Sequence, residues 1–157
     1  MSRALKVVAL SGGTWRPSRP LVAALSRQEL SAEIEAELQA IESADLLIVA
    51  APVYRGSYPG LLKHLFDLID LNALIDTPVL LAATGGSERN ALALDHQLRP
   101  LFSFFQALTL PIGVYATEAD FSNYPITSEP LKARIRLAAE RAAPLFGVNP
   151  KNLLKIA

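Results

Sequence analysis

The sequence predicts an α/β fold built on a parallel sheet. Four short apolar runs, KVVAL (6–10), LLIVAA (46–51), PVLLAAT (78–84) and LTLPIGVYA (108–116), are continuous rather than alternating. That is the pattern of strands buried on both faces. Stretches with helical periodicity lie between and after these runs, and strand–helix alternation implies βαβ units with right-handed crossovers. The 157 residues contain no internal repeat, low-complexity tract or linker, so a single domain over 1–157 is expected.

Each element has its own signal. In 31–43, Ile34, Leu38 and Ile41 recur at i, i+4, i+7, with Ser31 as N-cap and Glu33 and Glu35 in the first turn. Pro59 is expected at the start of the next helix, where a missing N–H is harmless. Leu61, Leu62, Leu65, Phe66 and Ile69 make that helix's buried face. A third helix, 88–107, contains Pro100 and is expected to kink or break there. Pro111, within the last apolar run, suits an edge strand. The final helix, 129–145, has Ser128 as cap, Pro130 in its first turn, and Leu131, Ile135, Ala138, Ala142 and Leu145 facing inward. The tail GVNPKNLLKIA reads as a surface extension.

Composition narrows the function. Fifteen basic residues balance fifteen acidic ones, so no net field favours nucleic acid or an anionic membrane. At 51% hydrophobic and 19% charged residues the chain is apolar enough to suggest buried subunit contacts. With no cysteine, disulfides, thiolate metal sites and cysteine nucleophiles are excluded. The opening MSRALKVVAL is too short an apolar run for a signal peptide, and no stretch approaches the ~20 apolar residues that span a bilayer. A cytoplasmic protein is expected.

Ligands of parallel α/β sheets bind beside the carboxyl ends of the strands, which brings three loops together. SGGTWRPSR (11–19) offers two glycines, the hydroxyls of Ser11, Thr14 and Ser18, and the cations Arg16 and Arg19. Such donors suit a phosphate monoester, and the same composition suits a surface turn. The loop matches neither the Walker pattern nor G-x-G-x-x-G. PVYRGSYPG (52–60) presents backbone at Pro52 and Val53, rings at Tyr54 and Tyr58 and a cation at Arg55. A planar heterocycle with polar edges fits that surface. TGGSERN (84–90) adds approachable backbone at Thr84, Gly85, Gly86 and Ser87. A phosphate end, a ring surface and a backbone-donor loop at one sheet edge match the layout of FMN.

Other chemistry has less support. His64 and His96 stand in separate helices with no second ligand at metal spacing, so no metal site is expected. GSYPG and GGSER both miss the G-x-S-x-G elbow of hydrolases. Asp67 and Asp70 read as a solvated helix face with Lys63. Phe102, Phe104 and Phe105 read as core or subunit interface.

SGGTWRPSR, APVYRGSYPGLLKHLFDLI and LLAATGGSERNALALDHQLRPLF, in this order, closely resemble the NAD(P)H-dependent FMN reductases of flavodoxin-like fold. The resemblance is nearest to the reductase components of two-component methanesulfonate and alkanesulfonate monooxygenases. It implies a homotetramer, FMN as a dissociable cofactor or substrate, and delivery of reduced FMN to a flavin-dependent sulfonate monooxygenase. Ser11, Thr14, Arg16 and Ser18 would hold the phosphate. Pro52, Val53, Tyr54 and Arg55, with Thr84, Gly85, Gly86 and Ser87, would line the isoalloxazine. NADH or NADPH would deliver hydride to flavin N5, with NADH favoured by the sulfonate resemblance, and no side chain need act as acid, base or nucleophile. Arg55 would steady reduced flavin or contact the pyridine nucleotide. The resemblance also implies a π-helical insertion in LALDHQLRP, near a subunit interface.

The chain departs from that family in one place. After Arg19, about one βα unit, on the order of 30 residues, is absent. In the order 2-1-3-4-5 the second strand is at an edge, so strands one and three can still pair, at the expense of the helix that covers the other face and presents its N-terminus to the phosphate. Two further readings stand beside the reductase: a non-catalytic flavodoxin-like module with weakened flavin binding, and a quinone or azo-dye reductase that keeps FMN bound.

Overall fold

The computed structural model describes residues 5–12, 21 and 24–147. The residues expected at the phosphate loop (Thr14, Trp15, Arg16, Ser18, Arg19) and the tail from 148 onward lie outside the described set. The strands are β1 (Val7–Ser11), β2 (Leu46–Pro52), β3 (Pro78–Gly85), β4 (Leu108–Thr109) and β5 (Val114–Thr117). All pairings are parallel: β1 with β2, β2 with β3, and both β4 and β5 with β3. The first and third strands of the flavodoxin-like order are therefore direct neighbours, as the shortened sequence requires.

The two faces of this sheet are unequally covered. Parallel partners share a face, so Leu10, Val49 and Leu81 point one way and Ser11, Ala50, Ala82 and Val114 the other. On the first face Leu47, Val49, Val79 and Leu81 are completely buried, packed with residues from helices α1 (Ala32–Glu42), α2 (Gly60–Asp67) and α3 (Arg99–Phe104). The Phe66 and Phe102 rings meet edge to face at 4.9 Å in the middle of that layer. On the second face Ile48, Ala50, Leu80 and Ala82 are only half-buried, and Val7 and Ala9 are exposed. Helix α4 (Glu129–Ala142) packs on β5. On this face β1 and β2 are thinly covered by the described residues, and the resemblance implies that the missing first helix would lie there.

Local chemistry explains the element boundaries. Ser31 accepts a hydrogen bond from the Ile34 N–H and Ser128 one from the Leu131 N–H, so both helices start at the expected caps. Pro59 stands at the start of α2 as expected, its extended ψ of 142° placing it as the N-cap. Ile34, Leu38 and Ile41 are buried as expected, whereas Ile135 and Leu145 are 38% and 54% exposed. Leu145 follows the end of α4, in a short 3-10 turn that shifts the register of the apolar face. Arg27 links the start of the α1 unit to both its ends, pairing with Glu35 at 2.8 Å and with Glu42.

The third helical region is not one helix. A 3-10 turn (Glu88–Asn90) is followed by a π-helical turn (Leu94–Leu98) running into α3, with Pro100 in the first turn of α3. Proline there leaves an N–H unmade that a continuing α-helix would need, and the wider turn before it absorbs the mismatch. The last apolar run is likewise split at Pro111 into β4 and β5. Arg99 donates to the Leu110 carbonyl (3.1 Å) and Arg134 to the Gly113 carbonyl (2.8 Å), satisfying acceptors that the interrupted strand releases. Among the described residues no helix is long and apolar enough to cross a membrane.

The Phe66–Phe102 contact generates a test. Phe102 is fully buried, so Phe102→Ala should lower unfolding free energy by about 3–5 kcal/mol, read as a shift of the urea midpoint at unchanged slope.

Candidate functional site

The β2–β3 ladder runs to the Pro52–Thr84 pair, and the Val53 N–H then donates to the Thr84 carbonyl at 2.7 Å. This bond carries the strand pairing one residue into the loops and fixes residues 52–54 beside 84–86. Beyond it the chain reverses tightly: Tyr54 and Ser57 exchange backbone hydrogen bonds at 2.7 and 3.2 Å. Arg55 and Gly56 at the tip both have positive φ, 54° and 86°, as a type I′ turn demands. Ser57 Oγ donates to Gln97 Oε1 at 3.1 Å, tying the loop to the π-helical turn.

A cleft of about 420 Å³ opens at this edge, within the ordinary range for a small-molecule site. One wall is Pro52, Val53 and Tyr54 with Thr84, Gly85 and Gly86; the other is Glu118, Phe121, Asn123 and Tyr124. Tyr54 is 55% exposed. A Cβ at Gly86 would meet nothing within 4 Å, so a ligand can reach the backbone there. Gly85 is the opposite case: a Cβ would fall 2.2 Å from the Tyr115 hydroxyl, which donates to the Ser87 carbonyl at 2.7 Å. Burial, chiefly, and the charge of Glu88 push the Tyr115 phenol up, so it stays a neutral donor. Approachable backbone on one side and rings on both suit a planar heteroaromatic group with polar edges, the character of the flavin ring.

Six of the expected ring-binding residues are thus brought together: Pro52, Val53, Tyr54, Thr84, Gly85 and Gly86. Arg55 is exposed at the turn tip and does not line the cleft. Ser87 turns its carbonyl to Tyr115 instead. Ser11 ends β1 at the same sheet edge but lines a separate groove with Glu37 and Ile41. Gly12 follows with its N–H donating to the Ala50 carbonyl at 2.7 Å. A Cβ on Gly12 would press within 3.3 Å of Ala51, so the chain just past β1 runs in close contact with β2. Thr14, Arg16 and Ser18 lie outside the described residues. Tyr58 and His96 do not reach the ring cleft. They line a larger hollow of about 600 Å³ between α2 and the π-helical turn, rimmed by Leu71 and Phe104. His64 is held in the fold by the Leu21 carbonyl, 2.8 Å from Nε2.

The whole second wall escaped the sequence reading. It is the loop after β5, the fourth loop at the carboxyl edge, and the rule that selected the other three applies equally to it. The split of the last strand at Pro111 hid where that loop begins. Its base is a capping box: the Asp120 carboxylate accepts from the Thr117 N–H (2.7 Å) and hydroxyl (3.0 Å). These bonds, the Thr117 N–H foremost and with the Ser128 hydroxyl beside it, hold the Asp120 carboxyl below the usual carboxylate range.

Two outcomes are expected at this site. Gly85→Ala should displace the Tyr115 ring and destabilise the fold by about 1–3 kcal/mol. Adding Tyr115→Phe removes the atom in conflict, so a double-mutant cycle in urea should show part of the loss recovered. Because the Asp120 value is depressed in the folded state, its support is complete above the ordinary carboxylate pKa of about 3.9 and is lost as pH falls through the folded value. Glu35 and Glu129 are shifted the same way, so the reading is a difference. Between pH 7 and about pH 3, the wild type should lose more stability in urea than Asp120→Asn.

Comparison with known proteins agrees with this geometry. The family model for NADPH-dependent FMN reductase matches residues 5–121. An NADH-dependent FMN reductase, SfnF, of Pseudomonas fluorescens is 76% identical over 187 aligned positions that cover all of both chains. An FMN reductase (NADPH) of Pseudomonas aeruginosa is 66% identical over the same length, again covering all of both. Alignments of 187 positions exceed the 157 residues here, in keeping with an absent βα unit. Among solved structures, the apo form of the NADH:FMN oxidoreductase EMOB superposes with a TM-score of 0.74 at 26% identity, covering 93% of this chain and 91% of that one. The chain belongs to the NADPH-dependent FMN reductase family, on a flavodoxin-like α/β fold.

Proposed function

We propose that this FMN reductase, acting as one domain over 1–157, seats the flavin ring in the cleft between residues 52–54 and 84–86. It would release reduced FMN to a flavin-dependent sulfonate monooxygenase in the cytoplasm. The observation that carries the reading is the pair of loops locked together by the Val53–Thr84 bond around an open, ring-sized cleft. FMN, when bound, supplies the N5 acceptor for hydride from a nicotinamide. The chain's own contribution is positional. Pro52, Val53 and Tyr54 would give the ring a largely apolar bed, and the backbone of Thr84 to Gly86 would offer it polar groups. Arg55, on its turn tip, is a cation within the same loop, suited to the negative charge of the reduced product or of the dinucleotide. Arg16, with Ser11, Thr14 and Ser18, is assigned to the phosphate by its motif.

NADH is the preferred donor in this reading, after the relative named as NADH-dependent; the partner assignment follows the resemblance to sulfonate-utilisation reductases. A homotetramer is proposed on the same resemblance, and Phe104 (66% exposed) and Leu71 (56%) beside the α2 hollow give it an apolar surface to bury.

FMN titration by fluorescence, followed by NADH and NADPH oxidation with and without added FMN, tests the proposal. Saturable binding and FMN-dependent oxidation, faster with NADH, are expected. No binding and no FMN-dependent oxidation would leave the non-catalytic module. Oxidation that needs a quinone while flavin stays bound would leave the quinone reductase. Arg16→Ala should weaken FMN by on the order of tenfold or more, as loss of a charge-assisted phosphate contact, and riboflavin hardly at all.

A further inference from the structure

The second wall of the cleft ends in a side chain that the proposed function does not use. Tyr124 is 94% exposed, yet the backbone beneath it is firmly built. Phe121 and Ile126 form an antiparallel bridge, and the Ser122 N–H donates to the Pro125 carbonyl at 3.0 Å. Thr127 and Ser128 both donate backbone N–H groups to the Asp120 carbonyl, at 2.9 and 3.3 Å. Asn123 at the tip takes φ 59° to close the reversal, in the left-handed region that asparagine tolerates better than most residues. The hairpin is thus rigid, and it holds a tyrosine in solvent at the mouth of the cleft.

That arrangement has no packing purpose in the chain itself. A fixed backbone carrying an exposed aromatic residue is preorganised for binding, since little freedom is lost when a partner arrives. Tyrosine offers a flat apolar face with a polar tip. Across the cleft stands Tyr54, the other exposed ring of the site. We propose that Tyr124 is a ring-binding residue of the reductase: its phenol covers the outer face of a planar heteroaromatic ring, flavin or nicotinamide, seated against residues 52–54 and 84–86. This rests on the cleft being the flavin site.

The test uses the full chain as wild type, Tyr124→Ala and Tyr124→Phe. Three readouts are needed: FMN dissociation constant by fluorescence, KM and kcat for NADH, and flavin-free melting temperature. Aromatic stacking lost to alanine should raise the FMN constant or the NADH KM on the order of tenfold. The phenylalanine variant should stay within about twofold of wild type, and the melting temperature should not move. A rise confined to FMN assigns the stacked ring to the flavin, and one confined to NADH assigns it to the nicotinamide. If Tyr124→Ala changes neither constant while the wild type binds FMN and oxidises NADH, the inference fails and the cleft reading survives. If the wild type itself neither binds FMN nor shows FMN-dependent oxidation, both fall. A lowered melting temperature in both variants would make Tyr124 structural and overturn its ligand role.

Discussion

The hydrogen bond from Val53 N–H to the Thr84 carbonyl is the constraint on which the site depends. It extends the β2–β3 pairing past the last ladder residues, Pro52 and Thr84, into what would otherwise be two independent loops. Below it, the strands are held by side chains with no solvent exposure: Leu47 and Val49 from β2, Val79 and Leu81 from β3. A rigid pair of central strands therefore ends in a rigid pair of loop starts. The I′ turn at Arg55–Gly56 and the Ser57–Gln97 bond then secure the far end of the first loop. Ring recognition, as proposed for this cleft, would be a property of backbone held in place by the core.

Much of this is legible in the sequence because it is local. The continuous apolar runs give the strands, Ser31 and Ser128 give the helix starts, and Pro111 marks an edge strand that the structure shows to be interrupted. The grouping of Pro52, Val53 and Tyr54 with Thr84, Gly85 and Gly86 follows from one topological rule. What was not legible depended on tertiary partners. Ile135 keeps helical spacing yet stands 38% exposed. Ser87 could point into the cleft or away from it until the Tyr115 hydroxyl claims its carbonyl. The hairpin at 118–126 carries no apolar periodicity at all, and its order comes from Asp120.

The interruptions at Pro100 and Pro111 are related. Each removes an N–H that regular structure would use, and they stand close in the fold because Arg99, beside the first proline, donates to the carbonyl just before the second. Arg99 also pairs with Asp95 at 2.9 Å in the π-helical turn. One guanidinium thus serves an irregular helix and an irregular strand together, and Arg134 from α4 completes the set at Gly113. After the split, Tyr115 lies in β5 with its hydroxyl against Gly85, and the hairpin that follows lines the cleft with Tyr54.

The unequal faces of the sheet have a consequence for how such a chain can vary. Nearly all the deeply buried side chains lie under α1, α2 and α3, on the face that the absent βα unit never touches. The resemblance implies that the unit missing after Arg19 would lie on the other face, beside the proposed phosphate end of the site. In that arrangement the buried face that carries the fold and the proposed phosphate end occupy separable stretches of polypeptide. On the proposed site, the junction after β1 can change in length and alter how firmly a phosphate would be held, while the buried face that carries the fold is left untouched.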